Sequence, residues 1–136
     1  MKFSTKAKNL LELSKLNLKN SIIPKFDKYS VKAIINNESE IIEFLNKKLN
    51  RKICLRSSFF YEDGKKNSMA GEFEGYSNIN NNKKEIKIGI RKLIKQYKQK
   101  TKLKNVFNNS EIIFQNYVSE AVLSGVITNK CIQDGS

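Results

Sequence analysis

Apolar residues recur along this chain at helical spacing in three stretches and at strand spacing in several shorter ones. The most regular stretch predicts a helix from about Lys83 to Lys100, with lysines opposite its apolar stripe. The residues of that stripe are Ile86, Ile90, Leu93, Ile94 and Tyr97. We expect the stripe to pack on a core and the lysine side to be solvated.

Two further helices are expected earlier in the chain. Thr5 is placed to cap a helix within Phe3 to Leu18, because a side-chain oxygen at that position accepts a first-turn N–H. Asn37, with Glu40 three residues later, resembles a capping arrangement for a second helix. The apolar positions of that second helix are Ile41, Ile42, Leu45 and Leu49.

Strands are predicted where short apolar runs are bounded by polar residues. Ile53 to Leu55 has the pattern of a buried strand, which would deliver Arg56 at its end. Pro24 favours an extended segment or edge strand over residues 21–26, and a further strand is expected over 73–79. Together these elements predict an α+β fold with a mixed sheet and flanking helices.

The net charge of +13 over 136 residues first suggests a nucleic-acid or anionic partner. The basic residues, however, are nearly all lysines spread along the chain, and the arginines are Arg51, Arg56 and Arg91. No stretch interleaves arginines with aromatic residues as a stacking groove would. The composition therefore favours a solvated lysine surface over a nucleic-acid site, and 136 residues are enough for one domain.

Cysteine usage and hydropathy bear on the compartment. Cys54 and Cys131 are too far apart in sequence to form a metal-ligand spacing, and no signal peptide is apparent at the start of the chain. No apolar run approaches the roughly 20 residues needed to span a bilayer. We expect a cytoplasmic protein with Cys54 as a small buried hydrophobe.

Arg56 is the first candidate for chemistry. Its guanidinium, followed by the hydroxyls of Ser57 and Ser58, suits the phosphates of a nucleotide. The polar, turn-rich segment 62–68 comes next, and then Ala70 and Gly71, whose small size would let the backbone approach a ligand.

At these residues the chain resembles the nucleotide-binding domain of the phosphoenolpyruvate synthase and pyruvate phosphate dikinase family, which has an ATP-grasp-like fold. The matching motifs are Ile-x-x-Arg-Ser-Ser at 53–58, Glu-Asp at 62–63 and Ser-x-Ala-Gly-x-Phe-Glu at 68–74. The opening Lys-Ala-Lys-Asn-Leu at 6–10, Gln-x-x-Val at 115–118 and Ser-Gly-Val-Ile-Thr at 124–128 are also similar to family motifs. The patches follow the family order and cover nearly the whole chain.

The resemblance implies five nucleotide-binding residues. Arg56 and Lys6 would bind ATP phosphates, Gly71 and Gly75 would line a loop over the nucleotide, and Gln115 would lie on a strand beside the adenine. It also implies that residues 1–136 are a single incomplete domain, the amino-terminal part of a larger phosphotransferase. We expect the ligands of Mg²⁺ and a phosphohistidine domain to lie outside this chain, since the chain has no histidine.

On this interpretation the whole protein is a kinase that acts on a small-molecule acceptor, and the 136 residues alone are inactive. Two alternatives remain open at this point. One is a non-catalytic nucleotide-binding or interaction module that keeps Arg56 and Lys6 without turnover. The other, which fits the dispersed lysines less well, is a basic nucleic-acid-binding protein.

Overall fold

A computed structural model describes residues 5–16, 18–59, 73–100, 110–121 and 123. These residues form three helices and four strands. In chain order the elements are α1 (Lys6–Ser14), β1 (Phe26–Ser30), α2 (Val31–Lys48), β2 (Lys52–Phe59), β3 (Tyr76–Asn80), α3 (Lys83–Lys100) and β4 (Ser110–Asn116). The predicted α+β class is confirmed. The motif at residues 124–128 lies outside the described residues.

The four described strands form one sheet in the order β1-β4-β2-β3, and every neighbouring pair is antiparallel. The prediction of a mixed sheet is therefore wrong for this part of the chain. The reason is topological. Helix α2 joins β1 to β2, and these two strands run parallel to each other but have β4 between them. In the same way, α3 joins β3 to β4, and these two parallel strands have β2 between them. Two split β-α-β units thus interleave, so no two parallel strands become neighbours.

The main core lies between one face of the sheet and the helices α2 and α3. Along β2, Ile53, Leu55 and Phe59 alternate onto this face and are almost completely buried. The Tyr97 ring of α3 stacks on Phe59 with centroids 5.5 Å apart. Gly89 brings α3 close to the sheet, because a Cβ there would lie 2.8 Å from the Leu55 Cδ2. We call this side of the sheet the core face.

Helix α1 lies on the opposite side, which we call the α1 face. The side chain of Ser58 belongs to this face, because it alternates with Ser57 and Phe59 along β2. Its Oγ accepts a 2.8 Å hydrogen bond from the Ala7 N–H, and both residues are fully buried. The first turn of α1 is therefore held against the middle of the sheet.

Several element boundaries differ from the predicted ones. Helix α3 has the predicted bounds, and Thr5 caps α1 as expected by accepting from the Lys8 N–H at 3.3 Å. Helix α2, however, begins at Val31 with Ser30 as its cap, and the predicted cap Asn37 is instead a non-helical residue at a kink inside it. Tertiary packing of Val31 and Ile34 extends the helix backward across that polar residue.

The most consequential difference is the end of β2, because the strand continues through Arg56 to Phe59. Arg56 thus lies within the strand, whereas the sequence had predicted it at the strand end. Ser57 and Ser58 are buried by pairing with β4. Strand β1 begins at Phe26, the last residue of the expected segment 21–26, and forms one edge of the sheet. Within the part of the chain described, no helix has the length and apolar character required to cross a membrane.

Candidate functional site

A groove lies on the α1 face, where β2, the start of β3 and the end of β4 meet. It has a volume of about 370 Å³ and is lined by residues 54–56, 75–77 and 115–118, with Pro24. That volume is within the range of small-molecule sites, which runs from about 300 to 1,000 Å³. Much of the lining is apolar, with a few polar side chains at defined places, so it suits a flat ring system better than a metal ion.

Three of the five predicted nucleotide residues line this groove, namely Arg56, Gly75 and Gln115. Arg56 is exposed and faces Ile113 across the β2–β4 pair, and Gln115 is two residues further along β4. Diagonal neighbours of this kind are about 7 to 8 Å apart in an antiparallel sheet. A ligand of nucleotide size can therefore reach both side chains at once.

Gln115 is 7 % exposed, and its Nε2 donates to the Pro24 carbonyl at 3.4 Å. This bond ties the side-chain amide to the segment that precedes β1. Cys54 is the direct cross-strand partner of Gln115 and is half-buried in the same groove. The end of the groove formed by these residues is thus fixed by strand pairing and not by a loop.

Gly75 lies directly against β2 just before β3 begins. A Cβ at this position would lie 3.3 Å from the Leu55 carbonyl oxygen and 4.0 Å from the Arg56 Cγ. The missing side chain therefore lets the backbone of residue 75 approach the aliphatic part of Arg56. The role that the resemblance implied for Gly75, lining a loop over the nucleotide, stays a prediction.

Lys6 is at the first position of α1 and is not among the residues that line the groove. Its neighbour Ala7 is bonded to Ser58, which is two residues from Arg56 on the same face of β2. Residues two apart in a strand are about 7 Å apart, so the start of α1 lies on the far side of Arg56 from Gln115. Gly71, the fifth predicted residue, is outside the described residues.

The backbone amides of α1 are already engaged. The Ala7 N–H donates to Ser58, the Lys8 N–H to the Thr5 Oγ1, and the Asn9 N–H to the Thr5 carbonyl at 2.9 Å. Free amides at a helix N-terminus can bind an anion. An anion near α1 would instead have to be bound through side chains, because these three donors are directed at protein acceptors.

The electrostatics of the groove are set by Arg56 and Cys54. Burial raises the pKa of the Cys54 thiol, and the nearby Arg56 charge partly opposes that rise. The thiol is therefore neutral at pH 7. Among the residues that the structure describes, no group of three or more acidic, histidine or cysteine side chains is arranged to hold a metal ion.

Some groove residues were not found by sequence reasoning. Tyr117 belongs to a motif that the sequence interpretation quoted, but it was given no role, and its aromatic ring could have suggested a stacking surface. Nothing in the sequence around Ser77 or Pro24 indicated a binding role, because only the order of the strands in the sheet brings these residues to the groove. In comparisons with known proteins, no family model, curated protein or solved structure matches this chain.

Proposed function

We propose that this chain binds ATP and is the amino-terminal part of a phosphotransferase like those of the phosphoenolpyruvate synthase and pyruvate phosphate dikinase family. The observation that carries the proposal is that Arg56, Gly75 and Gln115 line one groove. Arg56 and Gly75 are 19 positions apart in the sequence and Gly75 and Gln115 are 40 positions apart, and the fold brings all three to one groove. Their convergence supports a single ligand site.

In this proposal the apolar end of the groove takes the adenine. The Gln115 amide and the backbone that follows β4 lie beside that end, and the Tyr117 ring adds a flat apolar surface. Arg56 is directed to the phosphates, since its guanidinium is always charged and presents several N–H donors. Lys6 adds a second positive charge on the opposite side of Arg56.

Mg²⁺ bound with ATP would supply charge neutralisation for phosphoryl transfer. We expect its acidic ligands, the phosphohistidine and the small-molecule acceptor site to lie outside residues 1–136. The contribution of this chain is to bind and orient ATP, and most of the catalysis of phosphoryl transfer comes from such positioning and from charge stabilisation.

An ATP titration followed by backbone amide NMR tests the proposal. We expect the largest shift changes within residues 54–56, 75–77 and 115–118, with small changes in α3 on the other side of the sheet. Adenosine should perturb the Gln115 end and leave the amides next to Arg56 nearly unchanged. Changes confined to the lysine-rich surface of α3, or none at millimolar ATP, would contradict the proposed site.

A further inference from the structure

The residue that links α1 to the sheet is Ser58. Its Oγ accepts from the Ala7 N–H at 2.8 Å on the α1 face. Its own N–H donates to the Tyr97 hydroxyl at 3.3 Å, and that hydroxyl donates to the Glu111 carbonyl at 3.0 Å. Ser58 therefore connects helices on both faces of the sheet through one chain of hydrogen bonds.

The two bonds that Ser58 makes are shielded from water. Ser58, Ala7 and Tyr97 are each 0 % exposed. A buried polar contact of this kind has no solvent to replace it, so losing the Ser58 oxygen would leave the Ala7 N–H without its acceptor. The side chain of Ala7 is only a methyl group, which allows the first turn of α1 to approach the strand.

The position of this link matters for the proposed ATP site. Consecutive Cα atoms are 3.8 Å apart, so an anchor at Ala7 also restricts the Cα of Lys6. Ser58 is two residues from Arg56 on the same face of β2, so the same strand carries both the anchor of α1 and the phosphate-binding arginine. The separation between Lys6 and Arg56 is thereby set by β2.

We propose that Ser58 is a positioning residue, which holds the first turn of α1 so that Lys6 and Arg56 act on the same polyphosphate. This inference rests on the proposed ATP-binding function. It gives Ser58 no contact with the nucleotide. Ser57 provides a matched control, because it is the adjacent buried hydroxyl of β2 and its side chain is on the core face.

The first measurement needs no ligand. Hydrogen exchange of the Ala7 amide should become about fivefold faster in Ser58→Ala, since a hydrogen bond contributes about 1 kcal/mol of protection. The amide should stay protected in Ser57→Ala and in Ser58→Thr, which keeps a hydroxyl acceptor. Unchanged Ala7 exchange in a folded Ser58→Ala protein would overturn the anchor.

The second measurement is a double-mutant cycle on ATP affinity by calorimetry. We expect Ser58→Ala to weaken binding about five- to tenfold and to have little further effect when Lys6→Ala is already present. Ser57→Ala should leave affinity unchanged, and Ser58→Thr should restore most of it. Additive effects of the two substitutions would overturn the positioning role. If the unmodified chain binds no ATP, the proposed function and the positioning role both fail, and the exchange measurement still decides the anchor.

Discussion

Gly75 packs against the aliphatic part of Arg56, where a Cβ at residue 75 would lie 4.0 Å from the Arg56 Cγ. A second glycine, Gly89 of α3, approaches the same strand from the core face, with its added Cβ 2.8 Å from the Leu55 Cδ2. The two glycines thus flank β2 on its two sides, one at the groove and one in the core. They differ in how much room a methyl group would have.

This difference predicts unequal effects of alanine at the two positions. Gly89→Ala gains helix propensity but overpacks the core, so we expect a net loss of about 1 to 2 kcal/mol in the free energy of unfolding. Gly75→Ala should change stability by less than about 1 kcal/mol, because the tighter contact is offset by lower unfolded-state entropy. Urea denaturation of both variants measures this, and equal losses would contradict the packing described.

Tyr97 should contribute to stability through its hydroxyl as well as its ring. The hydroxyl bridges the Ser58 N–H and the Glu111 carbonyl in a buried place, so Tyr97→Phe should cost about 1 to 3 kcal/mol. The control is Tyr76→Phe, which removes a part-exposed hydroxyl that accepts from Gln96 and should cost less than about 1 kcal/mol. A Tyr97→Phe protein as stable as the unmodified chain would show that the bridge is dispensable.

The start of α3 should make stability depend on pH through Glu85. Its carboxylate accepts from the Asn80 side chain and, at 2.6 Å, from the Asn80 N–H, and these bonds lower the pKa of Glu85. A lowered folded-state pKa contributes stability that is present above the unfolded value of about 4.3 and is lost as pH falls through the folded value. Glu85→Gln should therefore be less stable than the unmodified chain at pH 7, and the difference should shrink towards pH 3.

Unfolding midpoints in urea at the two pH values give this difference directly. Glu120→Gln, at an exposed residue after β4, serves as the control and should change neither midpoint. A gap between Glu85→Gln and the unmodified chain that is the same at pH 7 and pH 3 would argue against a role for the charged carboxylate.

Cys54 reports on the groove without any ligand assay. Because burial raises its thiol pKa and Arg56 opposes that rise, Cys54 should alkylate more slowly at pH 8 than in urea, and more slowly still in Arg56→Ala. In a Cys131→Ser background the rate can be followed by mass spectrometry. Bound ATP should slow the reaction further, and an ATP-independent rate would show that the nucleotide does not cover this end of the groove.

The sequence was most informative where one periodic pattern was long. The stripe of α3 predicted both its bounds and its buried side, because tertiary packing there follows helical periodicity. The end of β2 was missed since Ser57 and Ser58 are polar, and only the fold supplies their environment through β4, Tyr97 and Ala7.

The candidate site was predictable only in part for the same reason. Arg56 and Gln115 could be named as residues, but their meeting depends on β4 inserting between β1 and β2, which no local pattern encodes. The Thr5 cap of α1 was predictable, because it accepts from the Lys8 N–H three residues later. The use of the Ala7 N–H by Ser58 follows from a contact between residues 51 positions apart, which single-sequence reasoning does not reach.

The most direct test of the account is ATP calorimetry on Arg56→Ala beside Arg91→Ala. Both substitutions remove one exposed arginine, but Arg56 lines the groove and Arg91 lies on α3, on the other side of the sheet. If Arg56 binds the phosphates, its loss should cost about 1.5 to 3 kcal/mol for each charged hydrogen bond, which is at least a tenfold weaker affinity. Arg91→Ala should bind ATP like the unmodified chain. Equal affinities for all three proteins would contradict the claim that this groove is a nucleotide site built around Arg56.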